Sequence, residues 1–527
     1  MGSESTTRSS TRSRGWLLAA LLLGTALVVG YDRALTPSRY PYSGDSASYI
    51  EMAESLRSVH RPLVTPWDVD PGDRDAVPQP LFPPAFPLLI AALTPLAGDA
   101  RTAVLWPGRV AAALLPLLLL AGWRGALPPA ALAALGFWSL LAPGVREWQF
   151  IGYSDLSALA FAVGTLAALA RGLGKTAPAG WLLLAGLLAG LGYALRNSGL
   201  AVCAAAAATL LYCGWRRQLP PRAAGAFAAG LAPPLAALAA YNLMTFGRLL
   251  PYAMPPSARG WLANLGDYAS AQLSELGLPP PPLPPLPALA ATLLMTALVA
   301  ALATAWWQTR ARAAVHRLLT LLGAYLAAGA LLLIASRSRY EWGGLIDGRY
   351  ALQYSWAFGL ALVLAVRELL PPRALKAGAM AAMLVVAAFA VDALRDARAA
   401  RLAPPESWLE LSQDPALLAA ARQLTPQALI ASNTAVLFRI AVQRPVRQLD
   451  VSGGDRDFAG SLEVLRLAAG ARPAAFLLVC NEWTAGFSAC GAAGDGAVPD
   501  CTSLRAAPPR AALCVPPERG PVAANPR

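Results

Sequence analysis

Residues 318–335 read LLTLLGAYLAAGALLLIA, without a charge, between Arg317 on one side and Arg337 and Arg339 on the other. A run of that length approaches the roughly 20 residues that cross a bilayer core as a helix. Leu and Ala dominate it and do not alternate in the period of a barrel strand. Lipid offers no partner to free backbone groups, so a helix is the expected spanning element. The same reading holds for residues 16–31, 103–121, 126–142, 156–170, 181–195, 200–212, 223–246, 286–307, 351–366 and 377–394. The whole composition agrees. Of 527 residues, 56% are hydrophobic and only 14% charged, with a mean hydropathy of +0.47. A soluble globular protein carries roughly 25% charged residues, so too few charges remain to cover a soluble surface of this size.

The formal net charge is +13. In a soluble chain that would suggest nucleic acid. Here Lys and Arg sit in short clusters between apolar runs, which is the footprint of membrane topology, and nucleic acid is not an expected partner. The polar, basic residues 1–14 followed by the apolar residues 16–31 read as an uncleaved first helix with its N-terminus inside, because no convincing small-residue cleavage site follows. Residues 81–97 are apolar but hold Pro83, Pro84, Pro87 and Pro95. If they lie on the surface as a hairpin, then Arg124, Arg171 to Lys175, Arg216 to Arg222, Arg310 to Arg317 and Arg367 to Lys376 all fall inside. If they cross, all move outside. The first choice gives about eleven crossings, an external loop over residues 32–79 and an external tail.

The tail changes character. Residues 414–424 look helical, and residues 428–433 and 474–480 look like buried strands ending in polar residues. The expected organisation is a transmembrane domain over 1–394, a small external α/β domain over 395–514 and a disordered tail over 515–527. Cys203 and Cys213 lie in or beside one apolar run and read as small buried hydrophobes. Cys480, Cys490, Cys501 and Cys514 cluster in the tail, which suggests disulfides and an oxidising compartment. Four cysteines allow three pairings, and spacing does not choose among them. The Pro-rich stretch 279–287 reads as an extended connector at the outer surface.

The first external loop holds Gly44-Asp45-Ser46-Ala47-Ser48-Tyr49, with Ala53 and Leu56 beyond. Asp45, Tyr49, Ala53 and Leu56 share one face if the segment is helical. Asp45 then stands at the helix start, either as an N-cap or as a general base held at the membrane surface; the two are compatible. Asp155 precedes an apolar run and reads as a helix cap. Glu147 lies with it in the second external loop. Arg196, at an outer helix end, either approaches a phosphate or snorkels. Arg349, by position alone, reads as an interfacial anchor. Asp68, Asp70, Asp73 and Asp75 crowd the first loop, but Gln79 stands where a Ca²⁺ loop needs Glu, and a solvated turn is the expectation. No His/Cys cluster has zinc spacing and no Gly-rich phosphate loop is present, so no metal or cofactor is expected.

These motifs in this order resemble the GT-C glycosyltransferases that use polyprenyl-phosphate sugars, in particular the protein mannosyltransferase and aminoarabinose transferase branches. Gly44-Asp45 with Tyr49 and Ala53 follows the first helix as in that family. Pro83-Pro84-Ala85-Phe86-Pro87-Leu88-Leu89 is similar to its surface segment, and Gly98-Asp99 with Arg109 to the entry of the next helix. Tyr241-Asn242, Phe246-Gly247, Pro251, Ser257 and Gly260 resemble a further stretch. Arg349-Tyr350 resembles the pair that opens a late helix. Residues 430–433 with Gln443-Arg444-Pro445-Val446 resemble a tail motif. Many relatives place a second acid beside the first-loop Asp, where Ser46 stands here.

The resemblance implies an all-α polytopic GT-C-like fold with membrane-surface helices in the first external loop. It implies a polyprenyl-phosphate-linked sugar as donor, a glycan, lipid or protein as acceptor, and an external active site working by inversion, metal-independent in most related branches. Asp45 is then the base and Asp155 a second acid, with Tyr49, Glu147, Arg196, Arg349 and Tyr350 as substrate ligands. The location implied is the bacterial inner membrane, with site and tail on the periplasmic or extracellular side. The competing class is a transporter or flippase of lipid-linked sugars without catalysis. It calls for repeats and ionisable residues at mid-membrane depth, whereas the polar residues here gather at external ends. A non-catalytic scaffold is a third class. Asp45→Asn separates an enzyme from both.

Overall fold

The computed structural model describes residues 4–69, 76–174, 178–220, 222–251, 254–279, 285–341, 345–449, 455–480, 501–505 and 511–515. The chain divides into two units. The first comprises Met1–Leu35, Pro80–Gly98 and Thr102–Leu402; the second comprises Thr36–Gln79, Asp99–Arg101 and Ala403–Arg527.

The first unit is helical. Among the described residues, seven helices are long and apolar enough to cross a membrane: Leu17–Leu35, Ala100–Trp123, Asp155–Gly172, Asn197–Trp215, Arg222–Phe246, Ala288–Ala311 and Ala313–Arg339. Ala131–Leu141 and Ala179–Leu195 are shorter and also apolar, and Gly348–Leu369 and Pro372–Leu402 complete the set of long helices. The chain is an integral membrane protein of the polytopic, all-α kind. The proline-interrupted segment forms the helix Ala85–Ala97, 13 residues, about 20 Å long against a core of about 30 Å. Helices Ala179–Leu195 and Arg222–Phe246 touch backbone to backbone. A Cβ at Gly186 would stand 2.1 Å from the Phe227 carbonyl oxygen, and one at Gly230 2.0 Å from that of Leu183. Gly186 and Gly190 repeat at the small-xxx-small spacing that permits such an approach. The apolar core centres on buried Trp123, Trp356, Tyr325 and Tyr354.

Two elements of this unit were not legible. Pro143–Phe150 is a short helix of its own, started by proline in its first turn. Trp261–Glu275 is a 15-residue helix ahead of the Pro-rich connector, of which residues 280–284 lie outside the described residues.

The second unit holds a five-stranded sheet in the order Arg447–Gln448, Leu429–Ser432, Ala474–Val479, Ala511–Cys514, Cys501–Arg505. The first three run parallel and the last two are antiparallel additions. Strand Leu429–Ser432 is buried throughout, as its unbroken apolar run requires of a central parallel strand. Asp414 caps the helix Pro415–Gln423 by accepting from the Leu417 amide. Asn433 ties two parallel strands together: its side chain donates to the Val479 carbonyl at 2.8 Å and accepts from the Val479 amide at 2.9 Å. The SN motif is thus a strand-end clamp. Arg444, from the neighbouring motif, donates to the carbonyls of Ala421, Leu424 and Thr425 at the end of a helix.

The first loop folds with this unit rather than with the helices around it. The Gln448 amide donates to the Trp67 carbonyl, and Asp68 bridges to Gln448. Helix Pro372–Leu402 continues to residue 402, so the boundary of the tail falls after residue 394. Cys501 and Cys514 form a disulfide across adjacent strands, with Cα atoms 3.9 Å apart. Cys490 and residues 516–527 lie outside the described residues, as do Asp70, Asp73 and Asp75. Cys213 is buried and Cys203 half-buried, both as free thiols.

Candidate active site

Asp155 is the first residue of the helix Asp155–Gly172 and has no exposed surface. A carboxylate in a first helical turn is favoured by the helix dipole, but full burial demands cations as well. Two arginines supply them. Arg196, in extended backbone just after Ala179–Leu195, places Nη2 2.9 Å from Asp155 Oδ1 and donates from Nη1 to Ser154 Oγ at 3.1 Å. Arg349, in the first turn of Gly348–Leu369, donates from Nε to Asp155 Oδ2 at 3.1 Å. The guanidiniums are 15% and 14% exposed, so they are shielded without being sealed.

Aromatic rings flank Arg349. Its guanidinium carbon lies 3.8 Å from the Tyr153 ring centroid, 5.7 Å from Trp148 and 5.9 Å from Tyr350. Asp347 caps the helix by accepting from the Arg349 amide at 2.9 Å. Burial raises its carboxyl above the usual range, opposed by the bond from the Arg349 amide and by the Arg349 charge. Arg146 braces the Pro143–Phe150 segment: its side chain pairs with Asp392 and lies 3.8 Å from Asp396.

The structure thus brings Asp155, Arg196, Arg349 and Tyr350 together, and Glu147 stands exposed on the adjoining short helix. Arg196 does not snorkel; it is pinned to Asp155 and Ser154. Asp155, with no exposed surface, fixes two guanidiniums.

Sequence reasoning missed Glu275. It ends the helix Trp261–Glu275 and is 2% exposed. Its Oε1 accepts from the Gly144 amide at 2.9 Å, while Oε2 is buried with no hydrogen-bond partner among the described residues. A Cβ at Gly144 or at Gly348 would fall 2.9 Å from Oε1. The carboxyl therefore fills a cradle of two glycines, one opening the Arg146 segment and one preceding Arg349. Burial pushes it up to about 8, against the Gly144 amide and Arg146, with Glu147 and Asp347 adding to the rise. No periodicity or motif marks it in the sequence.

Asp45 and Tyr49 belong to the second unit. Both lie on the helix Gly44–Val59, whose N-cap is Ser43. Ser43 and Ser46 form a capping box, with the Ser43 amide donating to Ser46 Oγ at 3.1 Å. The cap expected of Asp45 is therefore filled by another residue, and Ser46 has a structural use of its own. Asp45 occupies the first turn, half-buried. Tyr49 is only 1% exposed, so its ring packs in the interior of this unit. Glu51, on the same helix, accepts from the Thr65 amide at 2.7 Å and lies 3.7 Å from Arg439. Burial raises its carboxyl, opposed by Arg439.

Residues 82–239 match the model of the dolichyl-phosphate-mannose-protein mannosyltransferase family. That match spans less than a third of the chain, and the likeness to the solved structures that follow is one of fold. Two solved states of ArnT from Cupriavidus metallidurans are similar over almost their full length. The apo state has 14% identity and a TM-score of 0.57, covering 96% of this chain and 98% of that one. The undecaprenyl phosphate-bound state has 13% identity and a TM-score of 0.58, covering 96% and 99%. The archaeal oligosaccharyltransferase AglB from Archaeoglobus fulgidus, in complex with an inhibitory peptide and a dolichol-phosphate, matches with 13% identity and a TM-score of 0.52, over 88% of this chain and 69% of that one. No curated protein matches the chain by sequence.

Proposed function

We propose that this chain is a membrane glycosyltransferase that moves a sugar from a polyprenyl-phosphate donor to a glycan, lipid or protein acceptor, with inversion, on the periplasmic or extracellular side of a bacterial inner membrane. The observation that carries the reading is the pair Arg196 and Arg349 set against the single buried carboxylate of Asp155. Two guanidiniums converge on one buried carboxylate and are shielded from water, where a phosphate gains most from forked donors. The solved ArnT binds undecaprenyl phosphate and AglB is held with a dolichol-phosphate, which supports a polyprenyl phosphate as the lipid class.

In the step, a nucleophilic oxygen or nitrogen of the acceptor attacks the anomeric carbon opposite the phosphate. The bond from that carbon to the phosphate oxygen breaks, and its electron pair departs with the lipid phosphate, where Arg349 and Arg196 stabilise the charge. The acceptor's proton passes to a base. We assign the base to Asp45, on the resemblance of its motif and its place in a first helical turn.

The test is sugar transfer by the purified full chain with radiolabelled polyprenyl-phosphate sugars. Asp45→Asn should lose roughly 10²–10⁴-fold in turnover while still binding donor. Arg349→Ala should raise the donor KM. Near-normal turnover in Asp45→Asn excludes that base, and unchanged donor kinetics in Arg349→Ala excludes the phosphate assignment.

A further inference from the structure

The helix that opens at Asp155 ends beside Arg171, about 24 Å further along at 1.5 Å per residue. At this far end lies a cavity of about 380 Å³, walled by three separate stretches of chain. Arg124 enters from the turn after Ala100–Trp123, Arg171 from the last turn of Asp155–Gly172, and Arg317 from the second turn of Ala313–Arg339. Among the described residues, none of the three has an acidic partner. Their neighbours differ: Arg312 pairs with Glu368, and Arg367 lies 3.9 Å from the same carboxylate. Positive clusters set topology whether or not they converge. These three converge on one hollow, and the nearby acid is engaged elsewhere.

The cavity is held open by fixed groups. Arg171 donates to the Ala121 carbonyl and its guanidinium stacks 4.9 Å from the Trp181 ring centroid. Arg367 braces the turn by donating to the Ala126 carbonyl at 2.6 Å. Leu173 and Leu318 contribute apolar wall. Three like charges around one hollow repel unless an anion joins them, and guanidiniums grip phosphate in a fork. The volume exceeds what one phosphate ion needs. Basic pockets between helices at the bilayer edge suit lipid headgroups, with the acyl chains remaining in the membrane. We propose that this cavity binds the phosphate headgroup of an anionic phospholipid, at a site separate from the Arg196 and Arg349 cluster.

The test uses the full chain in neutral detergent, with phosphatidylglycerol, phosphatidylcholine or inorganic phosphate added. Native mass spectrometry counts retained lipid and thermal unfolding reports stabilisation. The substitutions are Arg124→Gln and Arg317→Gln together; Arg124 is exposed and Arg317 half-buried, and Arg171 is kept because it braces the turn. The wild type should retain phosphatidylglycerol over phosphatidylcholine by about fivefold or more, equivalent to about 1 kcal/mol. The double variant should lose that preference while unfolding at the wild-type temperature in phosphatidylcholine. Equal retention of the two lipids by the wild type, or an undiminished preference in the double variant, overturns the proposal. Stabilisation by inorganic phosphate that matches phosphatidylglycerol and vanishes in the same variant also overturns it, in favour of a free-phosphate site.

Discussion

Asp155 is the side chain on which two arginines meet. With no exposed surface and two guanidiniums against it, it resists simple removal: Asp155→Asn leaves two shielded cations facing a neutral amide. Breaking such a pair costs about 3–5 kcal/mol, so thermal unfolding of Asp155→Asn in detergent should fall by several degrees and donor affinity should fall with it. Unchanged stability would mean that the arginines are held by other groups. Glu275 gives the opposite case, a carboxyl that the fold holds in its protonated form. Its native value near 8 stands above the ordinary 4.5, so the unfolded chain binds fewer protons between those limits. The stabilisation from the neutral acid is complete below about pH 4.5 and is lost as the pH rises through about 8. Melting temperature should therefore fall across that window in the wild type and less steeply in Glu275→Gln; parallel curves would refute the assignment. Asp155, Arg196 and Arg349 were legible because ionisable residues at the ends of apolar runs are rare and conspicuous. Glu275 was not, because its burial comes from two distant glycines folding around it.

Between Ala179–Leu195 and Arg222–Phe246 the interface is made of backbone. Leu and Ala elsewhere face lipid that is as apolar as they are, so burial alone does not drive these helices together. Close approach does, and Gly186 and Gly230 permit it. Gly230→Ala should destabilise the protein by roughly 1–3 kcal/mol or more through overpacking, read as a lower unfolding temperature. Gly225→Ala, on the same helix with nothing within 4 Å of the added carbon, should leave that temperature unchanged. Equal effects at the two positions would mean that helix propensity, not contact, sets the response. Most spans were legible as apolar runs because length and apolarity are local properties. So were the Pro415–Gln423 helix and the strands Leu429–Ser432 and Ala474–Val479. The Trp261–Glu275 helix carries Asp267, Asn264, Gln272 and Glu275 among its apolar residues, and no apolar run announces it. The short helix Pro143–Phe150 lay hidden in what reads as a loop, because one proline starts it and its charges pair with residues far away in the chain.

At the scale of the whole chain, membrane orientation is fixed by where charges collect. Arg124, Arg171, Arg216, Arg217, Arg310, Arg312, Arg317 and Arg367 all follow or precede helices at turns that the alternation of spans puts on one side. Asp155 stands at the start of its helix and Arg171 in its last turn, so this one element shows the asymmetry by itself. Lys and Arg are retained on the cytoplasmic side, and the prediction drawn from that rule is a tail after Leu402 on the other side. The disulfide joining Cys501 and Cys514 is an independent sign, because such bonds persist in oxidising compartments. The prediction is made for the intact chain in living cells. Alkaline phosphatase fused after Leu402 should be active, and a fluorescent protein that matures only in the cytoplasm should be dark at the same point. In the unfused chain, Cys501 and Cys514 should resist alkylation until a reductant is added. The two readouts rest on different physics, charge retention for the first and redox poise for the second, so agreement between them is not built in. An inactive phosphatase with a bright cytoplasmic reporter would overturn the orientation and with it the external site proposed for sugar transfer. Free alkylation of both cysteines in unreduced cells would do the same from the redox side, because a tail outside the cytoplasm keeps that bond closed.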